Sequence, residues 1–533
     1  MSGPILTGPF DIPEMTDRVP RRLKPWIFVV WVIIIQFSGG LYLAAATDMV
    51  GTKAIMQQDI LMAGYAQLIG MSINFAVMFR LKFRYTARTA FMICNTVMIA
   101  AAWICAETSS VPLMTGVCFV AGWMRMWATF ICNSTIQLWL TPKRDMSVFF
   151  CFVYIVVDGS IQLSGLSSIY VAFYSQWEYM HWIIIGALAV MLLSVIVLLA
   201  PKRCPMFIPL LGIDWLGALL WSVFMLAFTF ICVYGNHYDW WESEEIVGAT
   251  IIGAAAAGVN LWRATFLRHP YISFPAMTNR NVVRASIVYL VFFTLMGTGH
   301  VFEHSYAATI LGFDETNLIY LNWYVFAGIV AGVIISYEMF ALRKTRYKTM
   351  VAFSVVAAGC YLAYFYFLLD YGVEKEMLFV PLFLRGMAEV TVSIVLLTSI
   401  VQSGLPFMVF PQALVINGFM GAVCGAALGP AIIGEWLSRT FAKNASLLGS
   451  VLTDSNHAAA GISAGELYGA VSVQALAVSM KEIYGWLLIG AILFLGLIVV
   501  SYSPMRPTAI FPKWRTIRKL IRRNAADCAG ATG

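Results

Sequence analysis

Seven ionisable side chains lie inside long apolar stretches of this 533-residue sequence, where an unpaired charge is costly. They are Arg125, Asp158, His300, Glu303, His304, Arg385 and Glu389. A buried acid or histidine can load and release a proton, and a buried arginine can hold an acidic group. Their residue types therefore indicate proton transfer or ion recognition, and they favour transport as the function.

Three of these groups fall within about one helical turn: His300, Glu303 and His304. No Lys or Arg is near them in the sequence, so they are candidates for proton coupling, or else they line a watery outer vestibule. Their H-x-x-E-H spacing also matches the zinc-binding helix of inverted zinc proteases. A protease would need a third ligand and access to water, and this stretch is apolar, so we predict no metal site.

The other four groups could be simple ion pairs or cavity residues. Arg385 and Glu389 are four residues apart, which puts them on one helix face, where they could neutralise each other. Arg125 and Asp158 lie in neighbouring apolar stretches and could pair with each other. In each case the functional alternative is a charge that faces a cavity.

The composition is that of an integral membrane protein. Hydrophobic residues make up 60% of the chain, charged residues 11%, and the mean hydropathy is +0.80. A soluble domain carries about 25% charged residues. The apolar stretches run for roughly 20 residues, the length at which a helix crosses the bilayer, whereas a β-barrel shows short alternating segments. We therefore predict an all-α membrane protein without nucleic-acid binding, and the sequence has no Walker A loop for ATP.

Fourteen stretches are long and apolar enough to be membrane-spanning helices, and we number them as spans 1 to 14. They cover 26–47, 59–80, 88–107, 112–140, 147–171, 181–200, 213–234, 246–266, 284–308, 318–341, 349–369, 377–401, 408–436 and 484–503. With the N-terminus inside, 27 of the 34 Lys and Arg residues fall on the cytoplasmic side and five on the other. The positive-inside rule therefore predicts that both termini are cytoplasmic.

Small residues interrupt two of the spans. Gly39 and Gly40 lie in span 1, and Gly425, Gly429 and Pro430 lie in span 13. Small residues let helices approach closely, and proline loosens the backbone ladder. These five residues are candidate hinges, although close packing alone would also explain the glycines.

The order of several short motifs resembles the 14-helix drug:proton antiporters of the major facilitator superfamily, of the EmrB/QacA type. Residues 176–182 resemble the family's lead into helix 6, and Ile213–Gly217 resembles its start of helix 7. Further similar stretches are found at 269–270, 279–281, 310–313, 474–475 and 482–484. The resemblance spans most of the chain, although each motif is short.

This resemblance implies the major facilitator fold, with two six-helix bundles, spans 1–6 and 9–14, and spans 7 and 8 inserted between them. The corresponding ranges are 1–25 (cytoplasmic tail), 26–200 (first bundle), 201–283 (inserted helices and loop), 284–503 (second bundle, with a long outer loop at 439–481) and 504–533 (basic cytoplasmic tail). The family alternates access to a central cavity and is driven by a proton gradient, with no cofactor. Arg125 falls at the family's helix-4 arginine, and 425–430 resembles its glycine-proline motif.

The sequence departs from the family at its usual proton site. The acid expected near Gly39 and Gly40 in span 1 is missing, and Asp48 lies about two turns away. The loop at 79–85 also lacks the family's Gly and Asp. The proton of an antiporter must then be carried elsewhere, and we predict Glu303, with Glu389 or Asp158 as the next candidates.

The function that we expect is multidrug-type efflux, in which amphipathic or aromatic small molecules are exported in exchange for protons. The 27 Met residues and the many aromatic residues suit an adaptable apolar cavity. A specific metabolite or siderophore transporter, and a non-transporting membrane sensor or assembly factor, remain alternatives. The expected location is the inner membrane of a bacterium. There the partners would be the lipid bilayer and, through loop 439–481, a periplasmic adaptor and an outer-membrane duct. The later part of that loop, Gly465 to Lys481, could form a short amphipathic helix.

Overall fold

The computed structural model describes residues 15–16, 19–20, 23–44, 55–141, 145–200, 210, 212–370, 372–406, 409–451, 463–501 and 507. Asp48 and most of both predicted cytoplasmic tails lie outside these ranges. The described residues form helices and short connections, with one isolated bridge between Met15 and Leu199. The all-α prediction is therefore confirmed for this part of the chain.

Helices occupy all fourteen predicted positions. The α-helices are, in chain order, Lys24–Phe37, Leu41–Ala44, Gln57–Asn74, Met78–Arg84, Ala87–Glu107, Val111–Leu140, Met146–Tyr174, Tyr179–Leu198, Trp215–Tyr234, Glu244–Phe266, Phe274–Thr278, Arg280–Met296, Thr298–Ser305, Glu315–Ile335, Tyr347–Leu368, Phe379–Val401, Phe410–Gly418, Gly429–Val451 and Ala464–Val500. Three π-helical segments, Tyr306–Ile310, Ser336–Leu342 and Phe419–Leu428, continue spans 9, 10 and 13.

Fewer segments are long enough to cross a membrane than there are helical positions. Twelve helical segments of the described residues are long and apolar enough to cross a bilayer, and the two helices of span 2, bent by 69°, make a thirteenth. Span 1 begins with the 14-residue helix Lys24–Phe37. At 1.5 Å per residue it is about 21 Å long, against roughly 30 Å of hydrocarbon. The chain is a multi-pass membrane protein, and the fourteenth crossing stays a prediction.

Spans 1 to 6 pack mainly on one another, and so do spans 9 to 14. These two groups, which we call the first and second bundles, meet along two seams. Span 5 packs on spans 10 and 12 at one seam, and span 2 packs on span 13 at the other. Span 7 lies against both span 2 and span 13, so the inserted pair, spans 7 and 8, covers the second seam. The exact domain boundaries stay a prediction.

One close helix crossing occurs in each bundle with the same geometry. Spans 2 and 4 cross at Gly70 and Gly122, where an added Cβ would lie 2.0 and 1.9 Å from a carbonyl oxygen of the facing helix. Spans 10 and 12 cross at Gly328 and Gly386, where those distances would be 2.1 and 2.2 Å. Only glycine permits backbones to approach this closely. The repeat relates the two bundles structurally.

The helix expected over Gly465 to Lys481 is confirmed, but the rest of the expected loop at 439–481 is wrong in its described residues, because 439–451 are helical as well. Residues 439–451 continue the helix Gly429–Val451, and residues 464–481 belong to the single helix Ala464–Val500. The second helix starts with a capping box, in which Ser463 and Glu466 exchange hydrogen bonds of 3.2 and 3.3 Å. We call residues 439–451 and 464–481 the outer hairpin. The sequence pattern does not predict its first half, because residues 439–451 are not apolar enough for a membrane-spanning helix.

The hinge candidates of span 13 lie where two irregular helices touch. The π-helical segment of span 13 packs on span 9. An added Cβ at Gly425 would lie 2.6 Å from the Cβ of Phe293, and one at Gly429 would lie 2.9 Å from the Phe293 carbonyl oxygen. Span 9 itself breaks at Gly297, opposite Gly429. π-Helical segments often mark functional sites; bending at Gly425, Gly429 and Pro430 stays a prediction.

Candidate proton site and the bundle interface

The second bundle contains a buried ion pair between spans 9 and 12. Nη1 of Arg385 donates to Oε2 of Glu303 at 2.7 Å, and the side chains are 13% and 14% exposed. From span 11, the hydroxyl of Tyr361 donates to Oε1 of Glu303 at 2.8 Å. Burial penalises both charges, and these contacts offset the penalty. The expectation that Arg385 is neutralised by Glu389 is therefore wrong, because its ion pair is with Glu303.

Further polar groups surround this pair. Oγ1 of Thr298 lies 3.3 Å from the Tyr361 hydroxyl. Tyr484 of span 14 is 1% exposed, and its hydroxyl has no hydrogen-bond partner among the described residues. The guanidinium of Arg385 passes over Gly299, where an added Cβ would lie 2.4 Å from Nη1. Spans 9, 11, 12 and 14 thus surround a cluster of polar side chains inside the bundle.

The histidines next to Glu303 do not share its surroundings. Glu303 turns inward to Arg385, whereas His304 is exposed. The side chain of His300 lies outside the described residues. Within the described ranges, no group of three His, Cys, Asp or Glu side chains is placed to hold a metal ion. The expectation that Glu303 and His304 form one cluster is wrong, since successive helical positions point in different directions.

A second acidic site lies between the two bundles. Asp158 of span 5 and Glu389 of span 12 are both partly buried, and their carboxylates are close enough to repel each other. Neither forms an ion pair with another described residue. One turn along the same faces are Tyr154 and Ser393, and the carbonyl of Ser393 accepts from Tyr289 at 3.3 Å. This places two acids and two tyrosines at the seam of spans 5 and 12.

Arg125 forms a separate site inside the first bundle. It is fully buried, and its Nε and Nη2 point at the sulfur of Met71, at 3.1 and 2.5 Å. Its Nη1 has no hydrogen-bond partner among the described residues. The expected pair with Asp158 is wrong, because Arg125 turns towards spans 1 and 2 while Asp158 faces span 12. An uncompensated buried charge is costly, and such groups tend to be functional.

The hinge candidates of span 1 lie beside Arg125. The helix of span 1 ends at Phe37 and resumes at Leu41. An added Cβ at Gly39 would lie 0.9 Å from Nη1 of Arg125, and one at Gly40 would lie 2.5 Å from the carbonyl oxygen of Ile161. Both glycines are thus required by close packing, and a hinge role for them stays a prediction.

The two bundles carry opposite charges at corresponding positions. Arg125 comes three residues after Gly122 of span 4, and Glu389 comes three residues after Gly386 of span 12. These glycines form the equivalent crossings described above. A cation in the first bundle therefore corresponds to an acid in the second.

Several residues of these sites were not found from the sequence. Tyr361, Tyr484 and Met71 gave no signal, because tyrosine and methionine are common in apolar helices. His181 did give one, since it is an ionisable residue in span 6. It is 1% exposed, and its Nε2 lies 2.9 Å from the hydroxyl of Tyr42. His181 therefore belongs to the same class as the other seven, an ionisable group in an apolar stretch.

Contacts between the bundles close both ends of the molecule. We call the end rich in Lys and Arg the inner end. There Lys344 pairs with Asp145, and it also donates to Oγ of Ser147 at 2.8 Å. At the outer end, the hydroxyl of Tyr65 donates to the carbonyl of Ala426 at 2.5 Å. The other seam is bridged near the same end, where Nε1 of Trp323 donates to the Tyr170 hydroxyl at 3.3 Å.

The charge of Asp145 is stabilised by this inner contact. Burial alone would raise the pKa of Asp145, but hydrogen bonds from Lys344 and Ser147, together with the charge of Lys344, lower that pKa below its usual range. The ionised carboxylate therefore favours the closed inner end.

Spans 7 and 8, with the loops that follow them, are hydrogen-bonded to both bundles at both ends. At the outer end Tyr234 donates to Asp59, and Nε1 of Trp240 donates to Oε2 of Glu435 at 2.9 Å. At the inner end Tyr271 donates to the carbonyl of Ile73, and the amide of Ser273 donates to Oε1 of Gln412 at 2.9 Å. Asp59 and Ile73 belong to span 2 of the first bundle, and Glu435 and Gln412 belong to span 13 of the second. Neither end of the covered seam can open without loss of some of these bonds.

Known structures share this architecture, although curated sequences do not match the chain. No family sequence model matches the chain, and no curated protein sequence matches it significantly. Solved structures match over most of the chain at low identity. A crystal structure of a mutant of the peptide transporter POT in complex with sulfate has a TM-score of 0.56 and 13% identity, and the match covers 89% of this chain and 95% of that one.

Two further structures agree. An auto-inhibited peptide transporter of the POT family matches with a TM-score of 0.52 and 13% identity, covering 91% of this chain and 98% of that chain. The nucleoside transporter NupG matches with a TM-score of 0.52 and 12% identity, covering 90% and 100%. At such identities the likeness is one of fold. The chain has the all-helical fold of the major facilitator transporters.

Proposed function

We propose that this protein is a secondary active transporter that exports amphipathic or aromatic small molecules in exchange for protons. The observation that carries the proposal is the buried pair of Glu303 and Arg385. A carboxyl group in such surroundings can exist in two states, ionised and paired or protonated and unpaired, and each state changes the charge balance of the bundle. The fold, shared with solved transporter structures, supplies the architecture for alternating access.

The seam of spans 5 and 12 is the proposed cargo site. Asp158 and Glu389 supply negative charge there, and Tyr154 and Tyr289 supply aromatic surface with polar ends. Such a mixture suits an amphipathic or aromatic molecule. The proton site and the cargo site are linked through span 12, which carries both Arg385 and Glu389.

The contacts at the two ends support alternating access. The Lys344–Asp145 pair closes the inner end, and the Tyr65–Ala426 bond closes the outer end. Both join one bundle to the other, so each must break when its end opens. A single hydrogen bond contributes only about 0.5–1.5 kcal/mol, and a partly exposed ion pair about 0.2–1 kcal/mol. They can therefore be broken and remade in a transport cycle.

A flux assay tests this function. Purified protein is reconstituted into proteoliposomes that contain a pH-sensitive dye, and ethidium, an amphipathic aromatic probe, is added with or without an imposed pH gradient. We expect ethidium movement to drive proton counter-flow in wild type. Glu303→Gln keeps the shape of the side chain but cannot titrate, so it should bind ethidium and fail to move protons.

The alternatives make different predictions in the same vesicles. A siderophore transporter would move a ferric hydroxamate and leave ethidium outside. A sensor or assembly factor would bind probes without moving them. Wild-type proton exchange by Glu303→Gln would remove Glu303 from the mechanism and make Glu389 or Asp158 the next candidate.

The location and partners belong to the same proposal. We propose the inner membrane of a bacterium, with both termini cytoplasmic, and a periplasmic adaptor with an outer-membrane duct as partners of the outer hairpin. Support comes from exposed apolar side chains there, among them Leu447 and Tyr468, at 55% and 74% exposure. A photo-crosslinking amino acid at Tyr468 should capture an adaptor in intact cells. Capture of lipid alone would contradict the adaptor.

A further inference from the structure

Arg385 has two carboxylates within reach on its own side of the bundle. One is Glu303 of span 9, at 2.7 Å from Nη1. The other is Glu389, four residues further along span 12, hence one turn away on the same helix face. The charges of Arg385 and Glu389 interact, although no ion pair joins them. Nε of Arg385 has no hydrogen-bond partner among the described residues.

The guanidinium of Arg385 is oriented by one hydrogen bond among the described residues, the one to Glu303. On the side of span 9 it lies against Gly299, which has no side chain to hold it. An alanine there would place its Cβ 2.4 Å from Nη1 and 3.0 Å from Cδ of Arg385. The position of Arg385 is therefore set by its contact with Glu303.

Glu389 differs from Glu303 because it also faces the other bundle. Its carboxylate repels that of Asp158 across the seam of spans 5 and 12. Two like charges in a partly buried site disfavour close approach unless one is neutralised. The charge balance of Glu389 therefore acts on the contact between the bundles.

We propose that Arg385 is a shared counter-ion that exchanges between Glu303 and Glu389, and so connects the proton site to the seam between the bundles. While Glu303 is ionised, Arg385 pairs with it, and Glu389 is left to repel Asp158. When a proton from water forms an O–H bond on Glu303, the ion pair breaks and Arg385 turns to Glu389. The repulsion of Asp158 then falls, and spans 5 and 12 approach. The proton comes from hydronium, which loses one O–H bond and becomes water, and no other covalent bond changes. This inference rests on the proposed role of Glu303.

Other titratable groups face these residues and must be separated from them. Tyr361 of span 11 and Tyr484 of span 14 adjoin Glu303 and Arg385, and Tyr154 of span 5 and Tyr289 of span 9 adjoin Asp158. Tyrosine titrates near pH 10, well above the working range. The groups left to distinguish are Glu303, Glu389 and Asp158.

The test measures distance between the bundles and needs no cargo. Spin labels are placed at Tyr174→Cys and Tyr320→Cys, which are exposed near the outer ends of spans 5 and 10, one in each bundle. Accessible native thiols, Cys360 among them, are first replaced. The full-length protein in lipid is measured by pulsed electron resonance from about pH 8 to about pH 5. In wild type the ratio of near to far populations should rise by up to about tenfold per pH unit, the limit for one linked proton.

Two variants together test whether Arg385 exchanges between Glu303 and Glu389. Glu303→Gln cannot release Arg385 on acidification or recapture it on alkalinisation, so it should show the low-pH distances at every pH. Glu389→Gln removes the repulsion of Asp158, so it should also show the low-pH distances at every pH, with Glu303 intact. Glu338→Gln is the matched control. It loses an exposed acid paired with Arg343 at the surface, and its pH response should equal that of wild type.

Three results overturn the inference. If Glu303→Gln keeps the wild-type response, the titrating group is Glu389 or Asp158 itself. If Glu389→Gln keeps it, Glu303 acts without Glu389. An unaltered pH response in Asp158→Asn, which removes the other member of the repelling pair and is the substitute should Glu389→Gln fail to fold, counts in the same way. The proposed function fails separately, if Glu303→Gln still exchanges protons for ethidium in vesicles, so the two failures are distinguishable.

Discussion

Gly39 is the point at which the guanidinium of Arg125 crosses span 1, and an added Cβ there would lie 0.9 Å from Nη1. The arrangement has a counterpart in the second bundle, where Arg385 crosses Gly299. In each bundle an arginine from a central helix lies on bare backbone of its neighbour. At each of these two glycines, any larger residue would overlap the arginine.

The first prediction concerns Gly39→Ala. The new methyl group overlaps Arg125, which must move away from Met71, and overpacking of this kind costs about 1–3 kcal/mol. We expect transport in vesicles to fall at least about tenfold, with a lower melting temperature. Gly116→Ala in span 4 is the control, since nothing lies within 4 Å of its added Cβ, and it should behave as wild type. Equal activity of the two variants would contradict the packing argument.

The second prediction concerns Arg125→Ala. No acid among the described residues pairs with this fully buried cation, so its removal relieves a desolvation cost instead of stranding a partner. We expect transport to be lost while the melting temperature stays within a few degrees of wild type. Severe loss of folded protein, with normal transport by the remainder, would make Arg125 a structural residue.

The third prediction concerns Tyr361→Phe. The change removes one hydrogen bond to the Glu303 carboxylate, and bonds to charged groups contribute about 1.5–3 kcal/mol. Proton-coupled exchange should therefore slow by more than about tenfold. Tyr364→Phe, on the same span but 42% exposed, should leave the rate unchanged. The rates are measured by dye-reported proton flux, and similar rates for both variants would exclude Tyr361 from the site.

The fourth prediction concerns pH at the inner end. The pKa of Asp145 is lowered in the closed form, so the pair with Lys344 stabilises that form above the usual Asp pKa of about 3.9 and the contribution is lost as pH falls through the lowered value. Asp145→Asn should imitate acid at neutral pH. A partly exposed pair contributes about 0.2–1 kcal/mol, so the inner end should open up to about five times more often.

Hydrogen exchange measures this opening. The amides of Arg343 and Thr345 donate to the carbonyls of Glu338 and Met339, and they should exchange faster in Asp145→Asn. Glu338→Gln, which breaks an exposed pair within one bundle, is the control. If it accelerates exchange equally, the effect belongs to the local turn and not to closure of the inner end.

The fifth prediction concerns topology. The distribution of Lys and Arg places residues 341–348 and the segment after Ser503 inside. Cysteines introduced at Thr345 and Thr508, in a background lacking Cys360 and other accessible thiols, should resist an impermeant thiol reagent in intact cells. Labelling of both would reject the fourteen-helix model with both termini inside.

Helical positions were predictable from the sequence because backbone groups in a bilayer must be hydrogen-bonded within each helix. A run of about twenty apolar residues therefore predicts a spanning helix. In the outer hairpin the helix over Gly465 to Lys481 was predicted, but the one over 439–451 was not, since this mixed sequence depends on packing for its helicity. One such contact is the 2.9 Å bond between Asn444 and Ser479. Water-exposed helices of this kind lack the signal that the membrane imposes.

Residue types at the site were predictable, but their partners were not. Glu303 and Arg385 were both selected as costly charges, yet they are 82 positions apart in the chain. The pairings that seemed natural, Arg385 with Glu389 and Arg125 with Asp158, were those close in sequence or on adjacent spans. Which face of a helix meets which neighbour depends on crossings such as Gly328 with Gly386, and a single sequence does not reveal these.

The length of the last helix gives the second bundle a lever. Ala464–Val500 is one helix of 37 residues, about 55 Å long, of which roughly 30 Å fits the hydrocarbon. About 25 Å therefore stands clear of the membrane as a rigid extension of span 14. A tilt of about 15°, a rotation of the size seen between moving subunits, would carry its far end sideways by about 6 to 7 Å. Each transport cycle would then move the outer end of this helix, about 25 Å beyond the bilayer, far enough to make or break a contact with a neighbouring molecule.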